Sequence, residues 1–217
     1  MIDLHTHTLF SDGELIPSEL VRRATIHGYT AIGLADHVDF TNIDFVLKSL
    51  KQAKYLEKEF NIQVLVGVEL THLPPNKIEK LVKKARQLGA ELIVVHGETV
   101  AEPVTPGTNS ATVRTGEVDI LAHPGLISIE DAETARENDI YLEITSRKVH
   151  AIANGHVAKT ANETSAKLIV STDSHGPNDL ITREGAIEVA MCAGLDKNDA
   201  DRAVSVNSKK LLERIIG

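Results

Sequence analysis

Nine side chains with high affinity for divalent metals stand at near-regular intervals along the chain, most of them at the end of a short apolar run. Parallel strands that each present such a residue at the carboxyl end bring these residues together at the mouth of a barrel. The spacing therefore predicts a metal centre and an enzyme. The nine residues are His5, His7, Asp12, His37, Glu69, His96, His123, Asp173 and His175.

Two pairs of these residues are separated by a single position. His5 and His7 form the first pair, and Asp173 and His175 form the second. Side chains at this spacing face the same side of an extended strand, so both members of a pair can reach one metal ion. Taken alone, alternating histidines also fit a solvated edge strand, and Asp12 before a glycine also fits a turn.

The remaining candidates stand singly at strand ends. Glu69 follows a fully apolar run, and a buried lone carboxylate is costly unless it is paired or bound to metal, so we expect it to bridge two ions. In the Asp36-His37 pair, His37 is the predicted metal ligand and Asp36 an orienting carboxylate. His96 and His123 are single histidines at strand ends. We interpret them as ligands because the other strand ends also carry metal-binding residues.

The elements that must position these residues alternate between apolar β-type runs and helical stretches. This alternation favours an α/β fold with parallel strands joined by helical crossovers. The predicted strands span residues 2–6, 31–36, 63–69, 91–96, 119–123, 140–145 and 167–173. The predicted helices span residues 17–27, 44–60, 76–88, 182–193 and 199–215, and the last has a possible break around 205–208. A further helix is predicted to begin after a cap at Ser128. The irregular segment 97–117 is expected to form a lid or one wall of the site.

Composition fits a single α/β domain over residues 1–217, since 42% of the residues are hydrophobic. We expect no membrane span and a cytoplasmic location, because the sequence contains neither an eighteen-residue apolar run nor a basic-then-apolar signal segment. The net charge of −8 argues against nucleic acid as a partner. The single cysteine, Cys192, excludes an intrachain disulfide, and the oligomeric state stays open.

In order along the whole chain, the motifs H-x-H-T-x-x-S-D-G, D-H, G-V-E, V-H, A-H-P and D-S-H resemble those of the polymerase and histidinol phosphatase family, called PHP. The resemblance implies a small stand-alone member with a distorted (β/α)7 TIM-like barrel, which holds up to three metal ions at the carboxyl ends of its strands and hydrolyses phosphoesters. It also implies three ligand sets: His5, His7, Glu69 and Asp173; Glu69, His96 and His123; and Asp12, His37 and His175.

The resemblance and the ligand types together predict the chemistry. Two or three divalent ions, of Zn, Mn or Fe given the many nitrogen ligands, would lower the pKa of a bound water and produce the attacking hydroxide. Glu69, Asp173 and His175 are the predicted catalytic residues. Arg147 and Arg183 are the predicted phosphate-binding residues, because a guanidinium matches the geometry of a phosphate. For Arg147, a solvated position at a helix start is the alternative.

Other polar residues near the same strand ends carry weaker predictions. His150, Glu98 and Glu143 are secondary candidates for substrate contact. His27, His72 and His156 are interpreted as ordinary surface or helix histidines.

The leading hypothesis is a phosphatase that acts on a small phosphorylated metabolite, and histidinol phosphate is the substrate that the resemblance suggests. A nucleotide phosphatase or phosphodiesterase is the alternative within the same class. A metal amidohydrolase also begins with H-x-H, but no lysine stands at the end of the fourth strand. A non-catalytic metal-binding module is the third hypothesis.

Overall fold

Seven parallel strands alternate with helices and form a nearly closed barrel in the computed structural model, which describes residues 1–217. An eighth, two-residue strand pairs beside them. The strands are β1 (Ile2–Thr6), β2 (Ala31–Leu34), β3 (His37–Val38), β4 (Gln63–Leu70), β5 (Leu92–His96), β6 (Ile120–Ala122), β7 (Tyr141–Thr145) and β8 (Leu168–Ser171). Neighbours follow the order β1-β2-β4-β5-β6-β7-β8, and β3 pairs with β4. A bridge between Thr6 and Ser174 brings the chain after β8 back to β1.

The predicted α/β barrel is confirmed, with one difference at the second strand. The prediction continues that strand to residue 36, whereas β2 ends at Leu34 and the chain pairs again as β3. β2 lies beside residues 63–66 of β4, and β3 lies beside Glu69 and Leu70. Because of this break, His37 becomes the direct neighbour of Glu69.

The helices are α1 (Pro17–Ile26), α2 (Ile43–Leu50), α3 (Tyr55–Phe60), α4 (Ile78–Gln87), α5 (Thr108–Val113), α6 (Ile129–Glu137), α7 (Asn154–Thr164), α8 (Arg183–Cys192), α9 (Lys197–Asp201) and α10 (Ser208–Ile216). The predicted helix over 44–60 is divided between α2 and α3 by a 3-10 turn, and the predicted break in the last helix is a π-helical stretch at Arg202–Asn207. The Ser128 cap is confirmed, since its side chain accepts from Asp131 N–H. None of the helices combines the length and the apolar character that a membrane span requires.

Two apolar clusters explain how the strands aim their functional side chains. The larger cluster lies between the barrel and its helices, and a smaller one of ten residues, including Leu65, Leu92 and Val94, fills the inside of the barrel. Alternate residues of a strand share a face. Glu69 and His96 therefore continue the inward rows that begin with Leu65 and Leu92, and each emerges where its strand ends at the mouth.

The irregular segment after β5 packs as a wall beside the mouth. Glu98 Oε1 accepts from the N–H groups of Gly107 (3.0 Å) and Asn109 (2.9 Å), and Asn109 Nδ2 donates to Pro124 O at 2.7 Å. Gly125 has a positive φ of 60°, and a Cβ there would lie 1.8 Å from Glu98 O. This close approach allows only glycine and fixes the loop after β5 against the loop after β6. Glu98 therefore holds the loop together through Oε1, and its contact with substrate stays a prediction.

Candidate metal centre

The barrel brings all nine predicted ligands together at its mouth. A buried group forms around the two carboxylates: His5 Nε2 lies 3.3 Å from Glu69 Oε2, and His7 Nε2 lies 3.1 Å from Asp173 Oδ1. His123 Nε2 lies 3.6 Å from Glu69 Oε1. All five side chains are almost completely buried.

A second group lies closer to solvent, around Asp12. Asp12 Oδ1 is 3.3 Å from His175 Nε2, 3.5 Å from His37 Nε2 and 3.9 Å from His7 Nδ1. These four residues offer ligand atoms that all lie within 4.8 Å of one another. His7 thus contacts both groups, since its two ring nitrogens face different carboxylates.

Glu69 lies at the centre of the buried group and also faces His37 of the outer group. Its carboxylate is fully buried, and neither oxygen has a hydrogen-bond partner. His37 Nδ1 lies 2.8 Å from Oε2, but the same nitrogen pairs with Thr71 Oγ1 at 2.6 Å, and the contact with Oε2 lacks hydrogen-bond geometry. Burial alone raises the pKa of Glu69, but the charges of His5 and His37 outweigh burial and hold it well below its usual range.

A buried charge without hydrogen bonds is costly in a folded protein, which is the condition that a bound cation relieves. Two more buried atoms of predicted ligands, His7 Nδ1 and His123 Nδ1, also lack hydrogen-bond partners. Imidazole nitrogens and carboxylate oxygens in this mixture suit Zn, Mn or Fe. The residues present therefore fit divalent metal ions, which the nine predicted ligands would hold.

Backbone strain marks two of the predicted ligands. His123 and Asp173 adopt positive φ angles of 29° and 50°. Residues other than glycine rarely adopt positive φ angles, and such backbone strain concentrates at functional sites. Asp173 N–H donates to His5 O at 2.9 Å, which ties the strained residue to β1. Burial raises the pKa of Asp173 to about 7, although the charge of His5 opposes the shift.

Glu143 supports the centre from below. Its Oε1 pairs with His5 Nδ1 at 2.8 Å, and its Oε2 accepts from His123 N–H at 3.1 Å. A carboxylate on the second ring nitrogen of a histidine orients that ring and increases its basicity as a ligand. The prediction of a substrate contact is wrong, because Glu143 is fully buried behind His5. The signal for this role was an acidic residue inside the otherwise apolar strand β7.

Asp36 has the orienting role expected of it. Its carboxylate accepts from Thr8 N–H (2.9 Å), Thr8 Oγ1 (2.8 Å) and Ser11 Oγ (2.7 Å). These bonds fix the loop after β1, and this loop carries Asp12.

A cluster of histidines extends the buried group toward the loop after β7. The ring of His150 stacks on His123 with centroids 4.3 Å apart and lies edge-on to His96 at 5.9 Å. Burial, followed by the charges of His96 and Arg147, lowers the pKa of His150 to about 4. His72, interpreted as an ordinary histidine, lies at the rim, 5.7 Å from the His96 ring, and pairs with Glu102.

The two predicted phosphate-binding arginines lie in different places. Arg147 is at the mouth: its Nε is 3.6 Å from Asp173 Oδ2, and its Nη1 donates to Asp173 O at 3.3 Å. Arg183 is not brought to the centre, because it donates to Asp201 and Ser205. Burial and then the charge of Arg183 lower the pKa of the Met1 amino group, so Arg183 lies near the start of β1, at the opposite end of the barrel.

A cavity of about 420 Å³ opens over the outer group. Its lining includes Asp12, His37, Asp39, His72 and Glu102. A small ligand entering this cavity would meet the predicted ligands directly.

Comparison with known proteins agrees with this architecture. The family model described as PHP domain matches residues 3–93. An uncharacterised protein of Methanocaldococcus jannaschii is 51% identical over 215 residues, which cover 98% of this chain and 99% of that protein. The chain belongs to the PHP family. Ribonuclease P protein component 3 of Methanosarcina barkeri is a more distant relative, 24% identical over 94% of this chain and 85% of its own length.

Solved structures share the PHP barrel. A chain in the structure of archaeal ribonuclease P with mature tRNA superposes with a TM-score of 0.74 at 13% identity, covering 98% of this chain and 90% of the other. The putative histidinol phosphatase of Listeria monocytogenes superposes with a TM-score of 0.61 at 13% identity, covering 83% of this chain and 97% of the other. At these identities the similarity concerns the fold alone.

Proposed function

We propose that this PHP protein is a metal-dependent phosphoesterase that removes phosphate from a small phosphorylated metabolite. The observation that carries the proposal is Glu69, a buried carboxylate without hydrogen bonds, encircled by histidines at the open end of the barrel. Bound divalent ions would supply an activated water and stabilise charge on the phosphoryl oxygens. Zn, Mn and Fe are the metals to test, in two or three sites. We keep as predictions that residues 1–217 form a single domain and that the protein works in the cytoplasm.

The chain's own residues then have distinct roles. Glu69 would bridge two ions, because its Oε2 faces His5 and His37 whereas its Oε1 faces His123. Asp173 and His175 would complete the sets that share His7. Glu143 holds the ring of His5, and Arg147 places a guanidinium beside Asp173, where it would bind a phosphate oxygen.

The size of the cavity supports a small substrate. A volume of about 420 Å³ is within the range of sites for small molecules. Histidinol phosphate, which the family resemblance suggests, is the first metabolite to test.

The decisive experiment is a panel of phosphorylated metabolites, nucleotides and generic aryl phosphates, incubated with the Mn, Zn and Fe forms of the protein. We expect phosphate release from at least one monoester. Arg147→Gln is expected to raise KM about tenfold or more, since charge-assisted hydrogen bonds contribute roughly 1.5–3 kcal/mol. Arg183→Gln is the matched control and should leave KM unchanged. No turnover on the panel by fully metal-loaded protein would contradict the proposal and favour a non-catalytic module.

A second candidate function is hydrolysis of a nucleotide or nucleic-acid phosphoester. A groove of about 640 Å³ is lined by Phe40, in the loop after β3, and by Lys80, Lys83 and Lys84 of α4. An aromatic side chain beside lysines suits a base and its phosphates. The similarity to ribonuclease P protein component 3 also favours nucleic acid as a partner, against the expectation from net charge. Lys83 and Lys84 each pair with a carboxylate, of Glu79 and Asp44, which reduces the charge of the groove.

The same panel separates the two candidates. A nucleic-acid substrate should give a far higher kcat/KM for a short oligonucleotide than for any metabolite, and Lys80→Glu should reduce only the oligonucleotide rate. Equal rates for the wild type and Lys80→Glu on oligonucleotides would exclude this groove as the binding surface. Hydrolysis of a cyclic amide without phosphatase activity would instead indicate an amidohydrolase.

A further inference from the structure

We propose that His150 is a tenth metal-binding residue, a fourth protein ligand for the ion that Glu69, His96 and His123 would hold. The inference rests on the proposed function, because it adds a residue to the same centre. One ring nitrogen of each of the three histidines lies within 4.8 Å of the other two, and all three side chains are buried.

The three rings lie close enough together for their nitrogens to reach one ion after ring rotation. His150 stacks on His123 with an interplanar angle of 17° and lies perpendicular to His96. Two imidazole nitrogens on one tetrahedral ion are about 3.3 Å apart, given metal–nitrogen bonds of about 2.0–2.1 Å. Rotation of the stacked His123 and His150 rings would turn their nitrogens toward one point and bring them from separations within 4.8 Å to ligand distances.

The hydrogen bonds of His150 leave one of its ring nitrogens free to bind a metal ion. Thr99 Oγ1 pairs with His150 Nδ1 at 2.9 Å, so Nε2 is the nitrogen available to a metal. His96 has the same arrangement, with its Nδ1 on Gly97 O at 3.0 Å. Histidine ligands almost always bond through their second ring nitrogen in this way, which fixes the tautomer and the ring orientation.

The loop after β7 buries His150 and exposes its apolar neighbours, although apolar side chains are usually the buried ones. His150 is 5% exposed, whereas its apolar neighbours Val149 and Ile152 are 58% and 75% exposed. Burial of apolar surface therefore does not explain why this loop places an imidazole inside and two aliphatic side chains outside. A metal contact supplies the missing reason.

Metal binding tests the inference directly. Metal-free protein is titrated with Co²⁺, and both the visible absorption spectrum and the number of ions retained after gel filtration are measured. His150→Gln should weaken one site about 100-fold and change the spectrum of that site, because loss of a ligand should cost at least as much as the ~10–100-fold loss for an outer hydrogen bond. Thr99→Val should weaken the same site by about tenfold. His27→Gln, on a half-buried histidine after α1, is the matched control and should bind Co²⁺ like the wild type.

The results separate this inference from the proposed function. A His150→Gln variant with the wild-type spectrum, stoichiometry and affinity would overturn the inference, even if its KM were higher, because the residue would then contact substrate only. If the wild type hydrolyses no phosphoester, the Co²⁺ measurements still decide the role of His150. Circular dichroism of the metal-free variants reports folding, and if His150→Gln does not fold, Thr99→Val decides the inference by the same criteria.

Discussion

Glu69→Gln is expected to abolish most of the phosphoesterase activity and to remove at least one metal ion from the protein. Glutamine keeps the shape of the side chain but loses the charge and one acceptor oxygen, and Glu69 is the carboxylate that faces His5 and His123 of the buried group and His37 of the outer group. A metal ion contributes several kcal/mol of transition-state stabilisation, so kcat/KM should fall on the order of 10³-fold or more. Steady-state kinetics and metal analysis on the same sample measure both effects.

The control for this variant is Glu79→Gln, which changes an exposed carboxylate on α4 that pairs only with Lys83. It should keep full activity and metal content. A Glu69→Gln protein that retains both its ions and its rate would contradict a bridging role. Loss of activity with full metal content would instead place Glu69 in the reaction without a structural role in holding metal.

The residues at strand ends could be predicted from sequence because two simple regularities determine their positions. Alternate residues of a buried strand share a face, so Glu69 and His96 follow from the apolar residues before them. Parallel strands end at one mouth, so their last side chains converge. The break that makes β3 a separate strand escapes these rules, because it depends on where β4 offers hydrogen-bond partners.

Residues on loops, or with long side chains, could not be placed in this way. Glu98 and Arg183 both follow predicted strand ends, yet one caps α5 and the other bonds to Asp201 at the opposite end of the barrel. Their partners are distant in sequence, and no local pattern encodes them. His150 illustrates the converse, since its burial depends on the path of a loop and not on strand periodicity.

Removing the metal ions is expected to lower the stability of the protein substantially. Without cations, the fully buried Glu69 carboxylate has no hydrogen bonds, and Asp173 is buried within reach of it among the same histidines. A ligand at about 1,000 times its Kd stabilises the folded state by roughly 4 kcal/mol. Each kcal/mol shifts Tm by about 2–4 °C in a chain of this size, so chelation should lower Tm by roughly 8–16 °C.

Thermal unfolding before and after dialysis against a chelator measures the shift, and adding back one metal at a time identifies which ions restore it. The double variant His5→Ala, His7→Ala is the control, because it removes two of the residues that contact both carboxylates. Its Tm should respond less to chelator than that of the wild type, because the histidines around Asp12 and those beside His123 remain, and its activity should be lost. A wild-type Tm that is the same with and without metal would mean that the buried carboxylates are stabilised by the histidines alone. The centre would then be a charge network of the fold, and the phosphoesterase proposal would lose its main support.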